Sequence, residues 1–367
     1  MRRTRPSSIA LLLASTLLPG CVHDVHEIGP VGPPSPDRPG AIRVLVFGDF
    51  GASTLPQWLA ARAIHGESTH RPFDLAIELG DDLYPCGPDP GRPGARGCRF
   101  AADDATVEAG GALPDDPRFQ GENEAALGGL RARDGGPLPI YLALGNHDVG
   151  WGGGKCAVPG LADDQASRLR ACLTVAHRAP AWSLPARHYV VDRGPLRLVV
   201  VDTNVVVSDY GGFTLEEELA FVHEATAPCG TERICFLAGH HPPAAVHGYR
   251  VGPGPSPFRV RMARLLGAAQ GPVRGFLAGH VHALEHLSLG TLEVFVSGST
   301  AMGGYQRFRV RQPPEALPRF ATTAWGFAIL EVDAQGYRVR FVDVSGEALH
   351  CCEAAATGPC RPVECPG

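Results

Sequence analysis

Six residues of types that commonly bind metal ions stand in short, glycine-flanked motifs far apart in the chain. Oxygen and nitrogen donors delivered from successive strand ends are what a site for two divalent or trivalent metal ions requires. The motifs are Gly48-Asp49-Phe50-Gly51, Gly80-Asp81-Asp82-Leu83-Tyr84, Gly145-Asn146-His147-Asp148, Gly239-His240-His241 and Gly279-His280-Val281-His282. The candidate metal ligands are Asp49, Asp81, Asn146, His240, His280 and His282.

Apolar runs typical of buried strands precede these motifs, and segments with helical spacing lie between them. Side chains at the carboxyl ends of strands in an α/β sheet converge on one crevice, so this pattern predicts a single α/β domain over residues 41–350. The predicted strands are Ile42–Phe47, Leu75–Leu79, Ile140–Leu144, Ile234–Ala238 and Val273–Ala278. The predicted helices are Thr54–Glu67, Thr214–Thr226 and Pro257–Ala269.

A hairpin of His188–Asp192 with Arg197–Asp202 is also predicted, because Arg193-Gly194-Pro195 is a turn sequence between two β-rich runs. The domain is expected to end in a β-rich region. Two stretches rich in glycine and proline, Pro85–Pro117 and Gly303–Thr323, are predicted to be irregular. The predicted closing strands are Leu292–Val296, Gly326–Val332 and Tyr337–Val344.

The first 21 residues have the pattern of an export signal. Three arginines precede the apolar stretch Ile9–Leu18, which is too short to cross a bilayer, and Leu18-Pro19-Gly20-Cys21 is a small-residue cleavage region. Cys21 is placed as in a bacterial lipoprotein signal, which predicts lipid attachment there and a membrane tether; plain secretion is the alternative. Residues 22–40 form a Pro-rich, extended linker.

The cysteine count agrees with export to a periplasmic or cell-surface location. Of eleven cysteines, those other than Cys21 form an even set suited to disulfides in an oxidising compartment. Proximity suggests the pairs Cys86–Cys98, Cys156–Cys172 and Cys229–Cys235. The pairing within the Cys-rich tail (residues 351–367) is left open, and a zinc cluster there is disfavoured because the tail has no Cys-x-x-Cys spacing.

Charge excludes one class of partner. The net charge is −5 and the basic residues are scattered, so no basic run is available to neutralise a phosphate backbone, and nucleic-acid binding is not expected. The oligomeric state is left open.

The five motifs, in this order, resemble those of the calcineurin-like metallophosphoesterases. Tyr84 indicates the purple acid phosphatases, in particular the small, tartrate-resistant type, as does Gly51, which stands where most other members carry a histidine. The resemblance covers roughly Ile42 to His350. It implies a four-layer α/β/β/α sandwich of two mixed β-sheets flanked by helices, and a small phosphate ester as substrate.

The resemblance also implies a role for each motif residue. Asp49, Tyr84 and His282 would bind a first metal, expected to be Fe(III), and Asn146, His240 and His280 would bind a second, divalent ion (Fe, Zn or Mn). Asp81 would bridge the two. Phosphomonoesters would be hydrolysed by metal-activated hydroxide, with His147 and His247 as the catalytic histidines. His241 is a departure, because the closest relatives carry an aromatic residue there; it is a candidate for contacting the substrate.

Two other functions are compatible with the sequence. A phosphodiesterase or nucleotidase would use the same metal site with a different leaving group, and specificity would then lie in the two irregular stretches. A non-catalytic, lipid-tethered surface protein would keep the fold, although no metal ligand of the motifs is missing here.

Overall fold

The computed structural model describes Arg38 and residues 40–108, 115–152, 154–248, 256–303 and 315–365. The predicted export signal, Cys21 and nearly all of the Pro-rich linker lie outside the described residues. No helix among the described residues is long and apolar enough to cross a membrane.

The described chain contains fifteen strands, numbered in chain order. They are β1 (Ile42–Phe47), β2 (Leu75–Glu78), β3 (Ile140–Leu142), β4 (Trp182–Ser183), β5 (Tyr189–Arg193), β6 (Leu196–Val200), β7 (Ile234–Gly239), β8 (Val273–Ala278), β9 (Leu284–Leu289), β10 (Leu292–Ser297), β11 (Ala316–Thr322), β12 (Gly326–Asp333), β13 (Gly336–Asp343), β14 (Ala348–Ala355) and β15 (Arg361–Pro362).

Six α-helical segments are described as well. They are α1 (Leu55–His70), α2 (Ala125–Leu127), α3 (Asp163–Ala176), α4 (Asn204–Val207), α5 (Leu215–Ala225) and α6 (Pro257–Gly267). Single 3₁₀ turns at Ala95–Gly97 and Gly154–Cys156 and a π-helical turn at Phe119–Glu124 complete the set.

The strands form two mixed sheets flanked by helices, which confirms the predicted fold class. The first sheet has the order β15-β14-β13-β12-β1-β2-β3-β4, and the second has the order β11-β9-β10-β8-β7-β6-β5. In the first sheet β1 to β4 run parallel. In the second, β6, β7, β8 and β10 run parallel. The carboxyl ends of these two parallel sets carry the glycine-flanked motifs.

The two sheets pack face to face through aromatic side chains. Phe236 of the second sheet meets Tyr337 of the first edge to face, with ring centroids 5.1 Å apart, and Phe295 meets Phe341 at 6.5 Å. These rings are fully buried. Interlocked aromatic rings of this kind fix how the sheets lie on each other and hence how their carboxyl ends meet.

Two of the predicted helix starts are confirmed in detail. Thr54 caps α1 by accepting a hydrogen bond from the backbone N–H of Gln57, whose side chain accepts one from the backbone N–H of Thr54. Thr214 and Glu217 form the same reciprocal arrangement at α5. Such caps satisfy backbone donors that a helix start otherwise leaves unpaired.

Eight of these strands and helices were not expected from the sequence: α2, α3, α4, β4, β9, β11, β14 and β15. Strand β11 lies within the stretch Gly303–Thr323 that was predicted to be irregular. Strand β14 runs through residue 350, where the sequence suggested that the domain ends, and pairs with β13 and β15. The Cys-rich segment, as far as it is described, is therefore part of the first sheet.

Five disulfides are formed among the described residues, and two of the predicted pairs are wrong. Cys229–Cys235 is confirmed, but Cys86 pairs with Cys156 and Cys98 with Cys172. The tail pairs are Cys351–Cys365 and Cys352–Cys360, and with all four thiols used no zinc cluster is formed among them.

The cysteines pair differently from the prediction because of contacts between distant segments in the folded structure. Cys172 is on the buried face of α3, and the long loop after β2 packs on that helix, with the Arg168 guanidinium 5.3 Å from the Phe100 ring centroid. Contact in space therefore overrides closeness in sequence. Disulfides in this number are typical of proteins that fold in an oxidising compartment.

Two charged clusters lie outside the donor set, one of them buried and one partly exposed. Arg187 is 1% exposed and lies 3.1 Å from Asp202 Oδ2 and 3.2 Å from Glu218 Oε2, both of which are buried. There a buried cation compensates two carboxylates, which is the condition for burying charge without a large penalty. His177, which follows α3, is buried and lies 2.7 Å from Oδ1 of the exposed Asp115 and 2.6 Å from Glu124 Oε1.

Candidate metal centre

The structure brings the predicted ligands together where the carboxyl ends of the two sheets meet. The oxygen ligands Asp49, Asp81 and Asn146 follow β1, β2 and β3 of the first sheet. The imidazoles His240, His280 and His282 follow β7 and β8 of the second. The crevice therefore lies between the sheets, with oxygen donors from one sheet and nitrogen donors from the other.

One group of donors consists of Asp49, Tyr84 and His282. The Tyr84 hydroxyl lies 3.0 Å from Asp49 Oδ1 and 3.4 Å from His282 Nε2. His282 Nε2 lies 3.3 Å from Asp49 Oδ1. Three donor atoms at these mutual distances can face one cation, because ligands of a single metal ion are separated by about this much.

A second group consists of Asn146, His240 and His280. Asn146 Oδ1 is 2.9 Å from His240 Nε2 and 2.9 Å from His280 Nδ1, and the two nitrogens are 3.2 Å apart. His240 Nδ1 lies 2.9 Å from the Leu79 carbonyl oxygen. Because a carbonyl only accepts, Nδ1 carries the hydrogen, and the lone pair of Nε2 is directed at the site.

Asp81 lies between these two groups. Its Oδ1 is 3.4 Å from His240 Nε2, and it accepts a hydrogen bond of 2.9 Å from the backbone N–H of His147. Donor atoms of Asp49, Asp81 and His240 all lie within 4.8 Å of one another. Asp81 is thus next to a donor of each group, which is the position that a bridging carboxylate requires.

The backbone of three of these residues is in the left-handed region. Asp49, Asp81 and His280 have φ of 55°, 65° and 65°. Non-glycine residues rarely adopt this conformation, and where they do the strain is frequently at functional sites. The turn directs each side chain back into the crevice instead of along its strand.

Gly145 allows the two oxygen-bearing loops to approach. A Cβ at this position would overlap the backbone nitrogen and the Oδ1 atom of Asp81. Gly51 has a similar role, because a Cβ there would overlap the carbonyl group of Asp82, and its own carbonyl accepts the Tyr84 N–H at 3.0 Å. The loop that carries Tyr84 therefore lies where a side chain at residue 51 would lie.

Asp148 joins the loop after β2 to the loop after β3 through hydrogen bonds to their backbones. Its Oδ2 accepts from the backbone N–H groups of Asp81 (2.9 Å) and Gly145 (2.8 Å), and its Oδ1 accepts from Leu83 (3.1 Å). Asp148 follows His147 in the chain, a placement that would suit an aspartate that orients the histidine ring. The structure instead assigns its carboxylate to three backbone donors, a role that no sequence pattern indicated.

The donor set fits a pair of cations. Asp49 and Asp81 are buried, and within the described part of the chain their ion-pair partners are histidines alone. Burial, followed by the charges of Asp49 and Asp81, raises the pKa of Tyr84 well above its usual range, so a phenolate there requires a nearby cation. Burial, followed by the proximity of His240, lowers the pKa of His280 to about 3, which keeps this imidazole neutral and able to donate a lone pair.

His147 lies at the edge of the crevice. Its Nδ1 is 2.5 Å from the Pro85 carbonyl oxygen, to which it donates, and its Nε2 is 3.9 Å from Asp81 Oδ2. The side chain is 22% exposed, and its ring packs on that of Tyr84 at 4.3 Å. The ring therefore contacts both the ligand cluster and solvent.

The other two predicted histidines are buried, each held by one partner. His247 Nδ1 lies 2.8 Å from Glu285 Oε1, and Glu285 also accepts the backbone N–H of His247 at 2.8 Å. No contact among the described residues joins His247 to the metal-binding groups. His241 Nδ1 lies 3.0 Å from Thr203 Oγ1, and its ring is next to those of His240 and His280.

No protein-family model and no curated protein matches this sequence. Solved structures of similar fold include GAP50, described as the anchor in the inner membrane complex of Plasmodium. It has a TM-score of 0.61 at 15% identity, over 87% of this chain and 90% of that one.

Two further structures are similar. Purple acid phosphatase PPD1 from yellow lupin (Lupinus luteus) has a TM-score of 0.52 at 15% identity, over 88% of this chain and 55% of its own. PhoD has a TM-score of 0.51 at 14% identity, over 92% of this chain and 74% of its own. At these identities the similarity establishes the fold alone, which is the arrangement of two mixed sheets flanked by helices described above.

Proposed function

We propose that this protein is a two-metal phosphatase that hydrolyses phosphomonoesters outside the cytoplasm. The observation that carries the proposal is the convergence of seven donor side chains, from motifs spread over the whole domain, on one crevice between the two sheets. Asp49, Tyr84 and His282 would hold the first metal, Asn146, His240 and His280 the second, and Asp81 would bridge them.

The chemistry of the donors supports different ions in the two positions. Two anionic oxygens, from Asp49 and Tyr84, with the shared carboxylate of Asp81, favour Fe(III) in the first position. An amide oxygen and two neutral imidazoles suit a divalent ion such as Fe, Zn or Mn in the second. When bound, the pair supplies positive charge for the phosphoryl oxygens and a water of lowered pKa as the nucleophile.

His147 is assigned to the leaving group. With Nδ1–H donating to the Pro85 carbonyl, its Nε2 faces the crevice. To act as the acid, His147 must be an imidazolium with a second hydrogen on Nε2; as the bond between phosphorus and the ester oxygen breaks, this proton passes to that oxygen, the alcohol leaves neutral and His147 becomes a neutral imidazole. The partial exposure of the ring leaves room for an alcohol group of the substrate at this side.

The proposal includes export. The disulfides support folding in an oxidising compartment. Residues 1–21 would direct export, and acylation of Cys21 would tether the protein to a membrane through the Pro-rich linker. Mass spectrometry of the mature protein tests this part, because an unmodified Cys21 in the membrane fraction would contradict lipid attachment.

The test of the enzymatic proposal uses protein purified after export, without refolding. We expect two metal ions per chain by elemental analysis and hydrolysis of p-nitrophenyl phosphate at mildly acidic pH. We also expect visible absorption from charge transfer between the phenolate and Fe(III), lost in Tyr84→Phe. Tyr141→Phe, which changes a tyrosine outside the donor set, is the matched control and should keep the colour.

The outcomes separate the alternatives. Absence of bound metal would contradict the proposal and favour a non-catalytic surface protein of this fold. Two bound metals with faster turnover of bis(p-nitrophenyl) phosphate than of the monoester would assign a phosphodiesterase. Colour that survives Tyr84→Phe would refute the assignment of Tyr84 as a ligand.

A further inference from the structure

His241 lies beside the second group of donors, and its ring contacts two of them. The ring centroid is 4.9 Å from that of His240 and 4.4 Å from that of His280. One ring nitrogen from each of these three histidines lies within 4.8 Å of the other two. His241 is 5% exposed, so its imidazole is directed at the interior of the site and not at bulk solvent.

The partner of His241 contacts one ring nitrogen and leaves the other for the site. Thr203 Oγ1 accepts the backbone N–H of His241 at 2.9 Å and lies 3.0 Å from Nδ1 of the same residue. This is the one hydrogen bond that the described structure shows for the ring. A threonine hydroxyl can either donate or accept, so Thr203 is compatible with the tautomer in which Nδ1–H is donated and the Nε2 lone pair is free to bind a cation.

The same arrangement holds the neighbouring ligand. His240 donates Nδ1–H to the Leu79 carbonyl and presents Nε2 to the site. An oxygen behind the ring that fixes the tautomer and the orientation is the usual support of a metal-binding histidine. Thr203 is fully buried. It lies between Asp202, held by Arg187, and Asn204, whose side-chain amide donates to the Leu144 carbonyl at 3.2 Å.

We propose that His241 is an additional ligand of the second metal, through Nε2. This inference rests on the proposed two-metal site and extends it. The second position then has three imidazoles, from His240, His241 and His280, beside the oxygens of Asn146 and Asp81. A nitrogen-rich set of this kind selects zinc, cobalt or ferrous iron over manganese and magnesium, which prefer oxygen donors.

The test measures divalent-metal affinity, which does not depend on turnover. Protein stripped of its second metal is titrated with Zn²⁺ and with Mn²⁺ in competition with a chromophoric chelator, for the wild type and His241→Phe. Loss of a ligand should weaken Zn²⁺ binding by more than the roughly 10–100-fold typical of a group that only orients a ligand. The loss for Mn²⁺ should be smaller, so that the preference for zinc falls.

Two control variants and one replacement variant complete this experiment. Thr203→Val removes the hydroxyl but keeps the imidazole, and should cost no more than roughly 10–100-fold in Zn²⁺ affinity. His223→Phe changes an exposed histidine on α5 and should leave the affinity unchanged. His241→Gln is used if His241→Phe does not fold, and should also weaken Zn²⁺ binding. Co²⁺ in the second position should show a changed visible spectrum in either His241 variant.

Unchanged Zn²⁺ affinity and an unchanged Co²⁺ spectrum in the His241 variants would overturn the inference. A raised KM in those variants would then place His241 against the substrate. The proposed function fails separately: a protein that binds two metals, loses zinc in the His241 variants and hydrolyses no phosphate ester would keep the ligand assignment and lose the enzymatic one.

Discussion

Replacement of His147 by alanine tests the assignment of a proton donor. The ring makes a hydrogen bond to the Pro85 carbonyl and lies 3.9 Å from Asp81 Oδ2, but it is not among the donors that converge on the crevice. Its removal should therefore leave the metal content unchanged. The backbone N–H of His147, which Asp81 accepts at 2.9 Å, is kept in the variant.

The expected loss is in kcat. A positioned general acid contributes about 10²–10⁴-fold, which corresponds to roughly 3–5 kcal/mol of transition-state stabilisation. The loss should depend on the leaving group, because an alkoxide needs a proton more than p-nitrophenolate does. We expect the upper part of this range for an alkyl phosphate and a much smaller loss for p-nitrophenyl phosphate.

The assay compares kcat for the two substrates in the wild type, His147→Ala and the surface control His223→Ala, with metal content measured on each sample. An equal loss for both substrates would refute proton donation and indicate that His147 only positions the phosphoryl group. A loss of metal in His147→Ala would show instead that the ring supports the ligand cluster.

Three further predictions concern the residues around the ligands. Gly145→Ala should prevent metal retention on desalting while the far-ultraviolet circular dichroism spectrum is kept, because the added methyl overlaps the bridging carboxylate; full metal content would contradict this packing. Arg187→Met should lower the free energy of unfolding by about 3–5 kcal/mol in urea titrations, since two buried carboxylates lose their cation. Burial lowers the pKa of His177, but its two carboxylate partners outweigh burial and raise it. The stabilisation is therefore complete below the unfolded pKa of about 6.5 and is lost as the pH rises through the raised folded value; the stability difference between wild type and His177→Gln should shrink as the pH is raised above about 6.5, and a constant difference would refute the titration.

The candidate metal-binding motifs could be recognised in the sequence because each is a local signal. A buried strand followed by glycine and a polar residue indicates a strand end, and strand ends in such folds face a common crevice. The division of the donors into two groups with Asp81 between them was expected from the resemblance of the motifs to those of a known family. The division of the strands into two sheets, by contrast, depends on pairings between distant segments, such as β1 with β12.

The missed elements share a weak local signal. Helix α3 begins after Ala162, which lacks the side-chain oxygen of a usual cap, and its first turn is polar. Strand β9 carries the buried polar residues Glu285, His286 and Ser288, whose partners come from other strands and from the loop that carries His247. The disulfides were mispaired for the same reason, since the contact between the long loop and α3 is not visible in sequence.

Contacts of single side chains were the least predictable. Asp148, next to a histidine, suggested a local pair, yet it connects three backbone amides from two loops. Thr203 and Glu285 support His241 and His247 from strands or turns far away in the chain. Such pairings require the full tertiary arrangement, because nothing in the spacing of these residues relates one to the other.

Because the candidate ligands come from different sheets, bound metals would also have a mechanical role. The oxygen donors lie before residue 147 and the imidazoles after residue 239, so bound ions would join these two segments as cross-links do. Metal binding would then stabilise the fold: at a free metal concentration a thousandfold above Kd, one site adds about 4 kcal/mol to the free energy of unfolding. Removal of the metals with a chelator should therefore loosen the contact between the two sheets at the crevice before it disturbs the interior of either sheet.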